Sequence, residues 1–402
     1  MLPIADSFER EYRGCDLIYG RGCVDRLNNY LGGRGLDRAL IVCGSNVGAN
    51  DELMGPIEAG LGDRHVETFD ETTPEKRAET VFDAVEMLHD VDADVVVGVG
   101  GGSSLDTARQ ASVFAADGRS FDEVLDEAER NGAVTPPSTD GEQPAVIVIP
   151  TTFAGADVSS GGSIEVLAAD DSPTNQPVTV GGSAQPIADF ADPALVETTP
   201  TSALAGSAMN GFNKGLETPY ARDATPISDA TAIHGLRLMS DALPQIVTDD
   251  GDGSADGAID RAVVGSLLVQ FDRKISIVHA FGHGFSRRYD LQQGQIHAVV
   301  VPHVLRYLFE NVDASRALLA TGLGIDLTGQ DDDEVADAVV EAVARVRDQL
   351  DTPTRLRELP ETREADLPAI AEFIVDDSPM ERAPAGLNPT SEQIEAVLRQ
   401  AW

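Results

Sequence analysis

The chain is nearly without lysine. Among 402 residues only Lys76, Lys214 and Lys274 carry an ammonium, and arginine supplies the rest of the positive charge. Acid outweighs base so far that the formal net charge is −39. A surface of that sign repels phosphate backbones, which excludes nucleic acid as a partner. It also repels itself in dilute buffer and needs cations to screen it, so a salt-adapted, halophilic protein is expected. Cysteine is scarce too. Cys15, Cys23 and Cys43 form no Cys-x-x-Cys pair, which argues against a zinc ribbon or a redox dithiol. No apolar run approaches the roughly 18 residues that a membrane span needs. The stretch Met1 to Asp6 lacks the basic and apolar regions of a secretory signal. The expectation is a cytoplasmic protein that acts on a small molecule, with neither nucleic acid nor membrane as partner.

What the chain does have is an ordinary share of apolar residues, 42%, enough for packed cores. Its length favours two domains. The first half alternates strand and helix signals. Arg38 to Gly44, Asp92 to Gly100 and Ala145 to Pro150 are short apolar runs of the kind found in parallel sheets covered on both faces. Ala78 to His89 has helical spacing. Alternation of this kind predicts right-handed crossovers and a doubly wound sheet. Asn131 to Gln143 reads as an exposed loop and Ala168 to Ser183 as a surface hairpin. Beyond Asp192-Pro193 the strand signals fade. Helical patterns follow at 201–219, 228–243, 255–281, 334–350 and 391–402, with an acidic glycine-rich connection at 249–257. The predicted division is an α/β domain over 1–198 and an all-helical domain over 199–402.

Two segments carry candidate chemistry. Gly98-Val99-Gly100-Gly101-Gly102-Ser103-Ser104-Leu105-Asp106 follows a strand and opens a helix. Glycines there let the backbone approach a pyrophosphate, and a helix N-terminus presents free N–H groups to it. The spacing is not that of the usual G-x-G-x-x-G fingerprint, and a tight turn without ligand is the plainer alternative. Pro150-Thr151-Thr152-Phe153-Ala154-Gly155 also ends a strand, where open α/β sheets bind ligands. Later in the chain, His279 and His283 share one helical face.

Taken in order, Gly-Gly-Gly-Ser-x-x-Asp, Pro-Thr-Thr, Asp192-Pro193, a helix near 209–217 and His279-x-x-x-His283 resemble the iron-containing (group III) alcohol dehydrogenases over residues 10–310. The versions at 150–155, 220–227 and 297–303 look most like the maleylacetate reductase branch. The resemblance implies a Rossmann-like N-terminal domain with a parallel sheet and an all-helical C-terminal domain, the dehydroquinate synthase-like architecture, with a cleft between them. It implies hydride transfer between NAD or NADP and a small carbonyl or alcohol. Gly44, Gly100, Gly101, Gly102, Ser103, Asp106, Thr151, Thr152 and Phe153 are the expected cofactor residues. A homodimer is expected.

The departures from the family pattern bear on the chemistry. The family's divalent metal is held by an Asp and a His four residues apart and by two later histidines. In this chain those positions fall at Asn210, Lys214, His279 and Gln293, so one ligand of four is retained. Iron or zinc is therefore not expected at the usual place. A family lysine near the nicotinamide ribose falls at about Gln176, and the acid that grips the adenosine ribose falls at Gly44, so NADPH should be tolerated. Lys214, His279 and His283 are the expected catalytic residues, with the Lys214 ammonium in the metal's electrostatic role. A salt bridge from Lys214 to Glu217 is the plainer alternative. A relocated three-histidine metal site, His279, His283 and His297, is another reading. Arg287 and Arg288 offer an anion site or a solvated pair. A metal-dependent alcohol dehydrogenase with displaced ligands, a silent nucleotide-binding homologue and a dehydroquinate synthase-like lyase are the rival functions. His65, His89, His234 and His303 are read as structural.

Overall fold

The computed structural model describes residues 14–138, 141–174, 176–247, 257–289 and 291–402. The N-terminal stretch and most of the acidic connection at 249–257 lie outside them. The chain forms two compact units. One comprises Tyr12–Thr152 and Ala156–Thr199, the other Phe153–Gly155 with Pro200–Trp402.

The sheet unit is built on strands β1 (Asp16–Tyr19), β2 (Ala39–Val42), β3 (His65–Phe69), β4 (Val95–Gly100), β5 (Ala145–Pro150), β6 (Ile164–Leu167), β7 (Val178–Val180) and β8 (Ala188–Ala191). Six of them make a sheet in the order β1-β8-β5-β4-β2-β3, with β6 and β7 apart as a ribbon. Every pairing in the sheet is parallel. The helices of this unit are α1 (Leu27–Gly32), α2 (Ser45–Gly48), α3 (Asp51–Leu61), α4 (Ala78–Asp90), α5 (Gly102–Asp117), α6 (Phe121–Asn131) and α7 (Pro193–Glu197). All six residues of β4 are buried. Val95, Val97 and Val99 face a core with Leu27, Leu53 and Ile57, while Val96 faces one with Val81, Ala108 and Phe114. That is why the strand reads as an unbroken valine run rather than an alternating one. Each such side chain contributes about 1.5–3 kcal/mol of burial.

The stretch read as a surface hairpin, 168–183, is the far part of the β6–β7 antiparallel ribbon. Its connecting residues Asp170, Asp171, Pro173, Thr174 and Gln176 are exposed as expected, but the apolar side chains of its strands are not. Ile164, Val166, Val178 and Val180 are buried in the core that covers α4 and α5. The polar residues between those strands hid the apolar ones on them. Asp192-Pro193 is a helix start: Asp192 Oδ1 accepts from Ala194 N at 3.0 Å, and proline occupies the first turn of α7.

The helical unit contains α8 (Thr201–Glu217), α9 (Pro226–Val247), α10 (Ala258–Phe271), α11 (Ile277–Ser286), α12 (Gln293–Asn311), α13 (Arg316–Gly322), α14 (Asp332–Gln349), α15 (Leu367–Asp376) and α16 (Ser391–Ala401). The continuous helix expected over 255–281 is two helices, broken between Phe271 and Ile277. The cause is a side chain: Glu217 accepts the amides of Val278 and His279, which a continuing helix would bond internally. Phe153–Gly155 pack with this unit because its helices hold their backbone. Phe153 N donates to Ser207 Oγ at 3.2 Å, and Lys214 binds the next two carbonyls. Among the described residues no helix is long and apolar enough to cross a membrane.

Candidate active site

In the sheet unit, β4 ends at Gly100, whose φ of +128° only glycine adopts without strain. Gly101 precedes α5, and no side chain caps that helix, so its first amides stay open. A Cβ on Gly101 would stand 3.4 Å from Thr152 Cγ2, and one on Gly102 would stand 3.3 Å from Ala156 Cβ. The structure thus brings Gly101 and Gly102 against Thr152 and Ala156. Thr151 closes the join from below. Its amide donates to the Gly100 carbonyl at 3.0 Å, and its own carbonyl accepts from Thr199 Oγ1 at 2.9 Å. An uncapped helix start lined by glycine fits a pyrophosphate.

Two expected cofactor residues have other work. Asp106 gives one oxygen to Lys76 Nζ at 3.1 Å and the other to Arg109 Nη2 at 2.7 Å. Arg109 is wholly buried and also donates to the Ala156 carbonyl at 2.9 Å. Asp106 therefore holds Arg109 on the Ala156 carbonyl. Phe153 is buried in the helical unit, its carbonyl against Gly211, where a Cβ would come within 2.2 Å of it. Gly44 follows β2 and heads the short helix α2.

In the helical unit, α8 carries Asn210, Lys214 and Glu217 within two turns, close to one face. Lys214 is 7% exposed, and its Nζ donates to the carbonyls of Ala154 and Gly155 at 2.8 Å each. Glu217 is fully buried. Its Oε1 accepts from Val278 N at 2.6 Å and His279 N at 3.1 Å, and its Oε2 meets His279 Nδ1. Burial pushes its carboxyl up to about 8, against which the backbone donors act. Burial, then the charge of Lys214, holds the His279 imidazole well below its ordinary range. His279 Nε2 is buried and has no hydrogen-bond partner among the described residues. The ring of His297 lies 4.5 Å from that of His279, and neither of its nitrogens has a partner among the described residues. Gly282 makes the room: a Cβ there would come within 2.3 Å of His297 Nε2. Gly294 crosses α8 at Gly206, where a Cβ would stand 2.0 Å from the carbonyl, so Gln293 begins α12 beside the turn that carries Asn210.

Among the described residues no three His, Cys, Asp or Glu side chains converge as metal ligands. His279, His283 and His297 form no such cluster there, and His283 Nδ1 lies 2.6 Å from Asp377 Oδ2. Arg287 and Arg288 contact different parts of the helical unit. Arg287 stacks over Phe373 at 4.6 Å, and Arg288 binds Asp366 at 2.7 Å. Gln176 is exposed. The cysteines are free thiols pushed up to about 12, by burial first, and supply no thiolate. Sequence reasoning missed Glu217 as the holder of His279; its place three residues after Lys214 on one helix was the available signal. Asp377, 94 residues from His283, gave none.

Comparison with known proteins places this architecture. The iron-containing alcohol dehydrogenase family model matches residues 15–174, and the C-terminal model of the Fe-containing alcohol dehydrogenase family matches residues 204–402. The chain is 26% identical to the NAD-dependent methanol dehydrogenase of Bacillus methanolicus over 364 residues, 90% of this chain and 91% of that one. The fold is that of a crystallised 1,3-propanediol oxidoreductase, with TM-score 0.83, 22% identity and coverage of 98% of this chain and 100% of the other. It is equally that of the maleylacetate reductase of Agrobacterium tumefaciens, with TM-score 0.75, 22% identity and coverage of 100% and 99%. The chain belongs to the iron-containing alcohol dehydrogenase family and is an oxidoreductase of alcohol–carbonyl chemistry.

Proposed function

We propose that the enzyme interconverts a small alcohol and its carbonyl with a nicotinamide dinucleotide, and that Lys214 takes the place of the family's metal. The α/β unit is the dinucleotide-binding domain and the helical unit the catalytic domain. The observation that carries this reading is the buried ammonium of Lys214 at a family ligand position, held on two carbonyls beside His279.

The residues at the implied ligand positions do not fit a divalent ion. A charged ammonium has no lone pair to give and repels a dication. The amides of Asn210 and Gln293 are poor ligands for iron or zinc. The glycine turn does fit a dinucleotide, because the open amides of α5 and the missing side chains at Gly100 to Gly102 leave a cradle for pyrophosphate. When bound, the nicotinamide takes or gives a hydride at C4. The chain's residues handle the substrate oxygen. Lys214 places positive charge where an alkoxide develops. His279 Nε2 is the imidazole nitrogen left for the hydroxyl proton, since Nδ1 is held by Glu217. His283, oriented by Asp377, is the next carrier of that proton.

Calorimetry with NADH, and turnover with a panel of small aldehydes and ketones, test this reading. Gly101→Val fills the cradle and should abolish dinucleotide binding. Tight binding by that variant would remove the turn as the phosphate site, and binding without any turnover would favour the silent homologue. The acidic surface suits a salt-rich cytoplasm, so activity should be lost on dialysis to about 10 mM salt, where charges act over roughly 30 Å. Full activity there would refute the salt adaptation.

A further inference from the structure

We propose that Asp70 sets the cofactor preference, favouring the unphosphorylated adenosine ribose of NAD(H) over the 2′-phosphate of NADP(H). The inference rests on the reading that the glycine turn holds a dinucleotide. In open α/β sheets the strand beside the glycine-turn strand ends at the adenosine ribose, and an acid there accepts from the 2′-hydroxyl. Here that strand is β2, which pairs with β4 and leads to Gly44. Position 44 is walled. A Cβ there would stand 3.3 Å from the Thr72 carbonyl and 3.4 Å from Thr72 Oγ1.

The wall is the chain leaving β3. Cys43 N donates to the Phe69 carbonyl at 2.9 Å, Thr72 N donates to the Cys43 carbonyl at 3.1 Å, and Thr72 Oγ1 lies 2.7 Å from Ser104 Oγ in the first turn of α5. Residues 70–72 therefore pass over the end of β2 and reach the helix that receives the pyrophosphate. Asp70 is the first of them. Its Oδ2 would stand 3.0 Å from a Cβ on Gly48, at the end of the short helix that Gly44 heads. It is exposed and has no ion-pair partner among the described residues. Its charge reaches the end of β2: after burial, Asp70 is the cause that raises the Cys43 thiol to about 12. Glu71 beside it is also exposed and acidic. Lys76, the one lysine of this unit, is engaged by Asp106 and is not offered to a phosphate.

A carboxylate accepts a hydrogen bond from a ribose hydroxyl and cannot donate one to a phosphate. The hydroxyl bond needs no long-range field, so the discrimination persists at about 1 M salt, where screening confines charges to roughly 3 Å. The acid missing at position 44 is thus supplied from the neighbouring strand, which reverses the tolerance for NADPH that Gly44 alone suggests.

The test compares kcat/KM for NAD(H) and NADP(H) in the wild type, Asp70→Ser, Asp70→Arg and Glu71→Gln. The wild type should prefer NAD(H) by about tenfold or more, equivalent to about 1.4 kcal/mol. Asp70→Ser should remove most of that preference, chiefly through KM for NADP(H), and Asp70→Arg should invert it by pairing with the phosphate. Glu71→Gln should leave the preference in place. Because Asp70 is exposed, all variants should keep the wild-type Tm. A wild type without preference, or an Asp70→Ser enzyme that keeps it, overturns the proposal while the dinucleotide site stands. Failure of the wild type to bind either dinucleotide by calorimetry removes the site and the proposal together.

Discussion

Glu217 holds His279 at two points: one carboxylate oxygen accepts the residue's amide at 3.1 Å, and the other meets its imidazole Nδ1. The pair is fully buried and shares few protons. Burial raises the Glu217 carboxyl from 4.5 to about 8 and takes the His279 imidazole well below 6.5. Between pH 6.5 and 8 only the folded chain holds a proton there. Stability from this pair then falls as pH rises, by about 1.4 kcal/mol per unit. Glu217→Gln removes the titrating group. Denaturation of the wild type and variant across pH 6–9 should show their stability difference shifting by about 3 kcal/mol, nearly all of it below pH 8. Parallel pH profiles would show that Glu217 does not take up the proton.

A second buried carboxyl makes a related prediction in the sheet unit. Asp189 on β8 is wholly buried beside Asp157, and burial, followed by the charge of Asp157 and a side-chain hydrogen bond with it, pushes its carboxyl well above the ordinary range. Asp189→Asn keeps the shape, supplies a donor toward Asp157 and removes the charge. The variant should be more stable than wild type at pH 8 by about 1–4 kcal/mol, with the gain shrinking toward acid pH as the native carboxyl becomes protonated. A destabilised variant at pH 8 would mean that the ionised form is held by a partner such as Arg109.

The sheet unit was the more legible in sequence. Val95 to Gly100 and Ala145 to Pro150 announce buried parallel strands because both faces are covered, and the glycines that follow mark the turn by composition alone. Strands β1 and β8 carry too few residues, 4 each, for periodicity to separate them from loops. The helical site was legible as positions and not as contacts. Lys214 stood out because lysine is rare here, but its hold on Ala154 and Gly155 joins residues about 60 apart in sequence. The break before α11 was invisible for a like reason: apolar spacing continues through it, and the agent is a carboxylate 61 residues upstream.

The clamp made by Lys214 predicts a double effect of its removal. Lys214→Met keeps an unbranched apolar stem and leaves the Ala154 and Gly155 carbonyls without that donor. Stability should drop by about 2–5 kcal/mol, from two charge-assisted hydrogen bonds lost in a buried place. kcat should fall about a hundredfold or more, as when one oxyanion donor is lost. NADH affinity measured by calorimetry should stay within about twofold of wild type, since the α5 turn does not involve Lys214. Lys214→Arg retains the charge and should recover much of the stability. Wild-type kcat in a folded Lys214→Met enzyme would confine Lys214 to a structural role and leave His279 and His283 to handle the oxygen alone.

If Lys214 acts as proposed, the positive centre at the substrate oxygen is an ammonium and not a metal. Metal content and turnover, measured together on the same chelator-treated preparation, test it most directly. Far less than one iron or zinc per chain is expected before treatment, with an unchanged rate of NADH-dependent carbonyl reduction after it. One metal per chain, with activity abolished by EDTA and restored by zinc or ferrous iron, would contradict it.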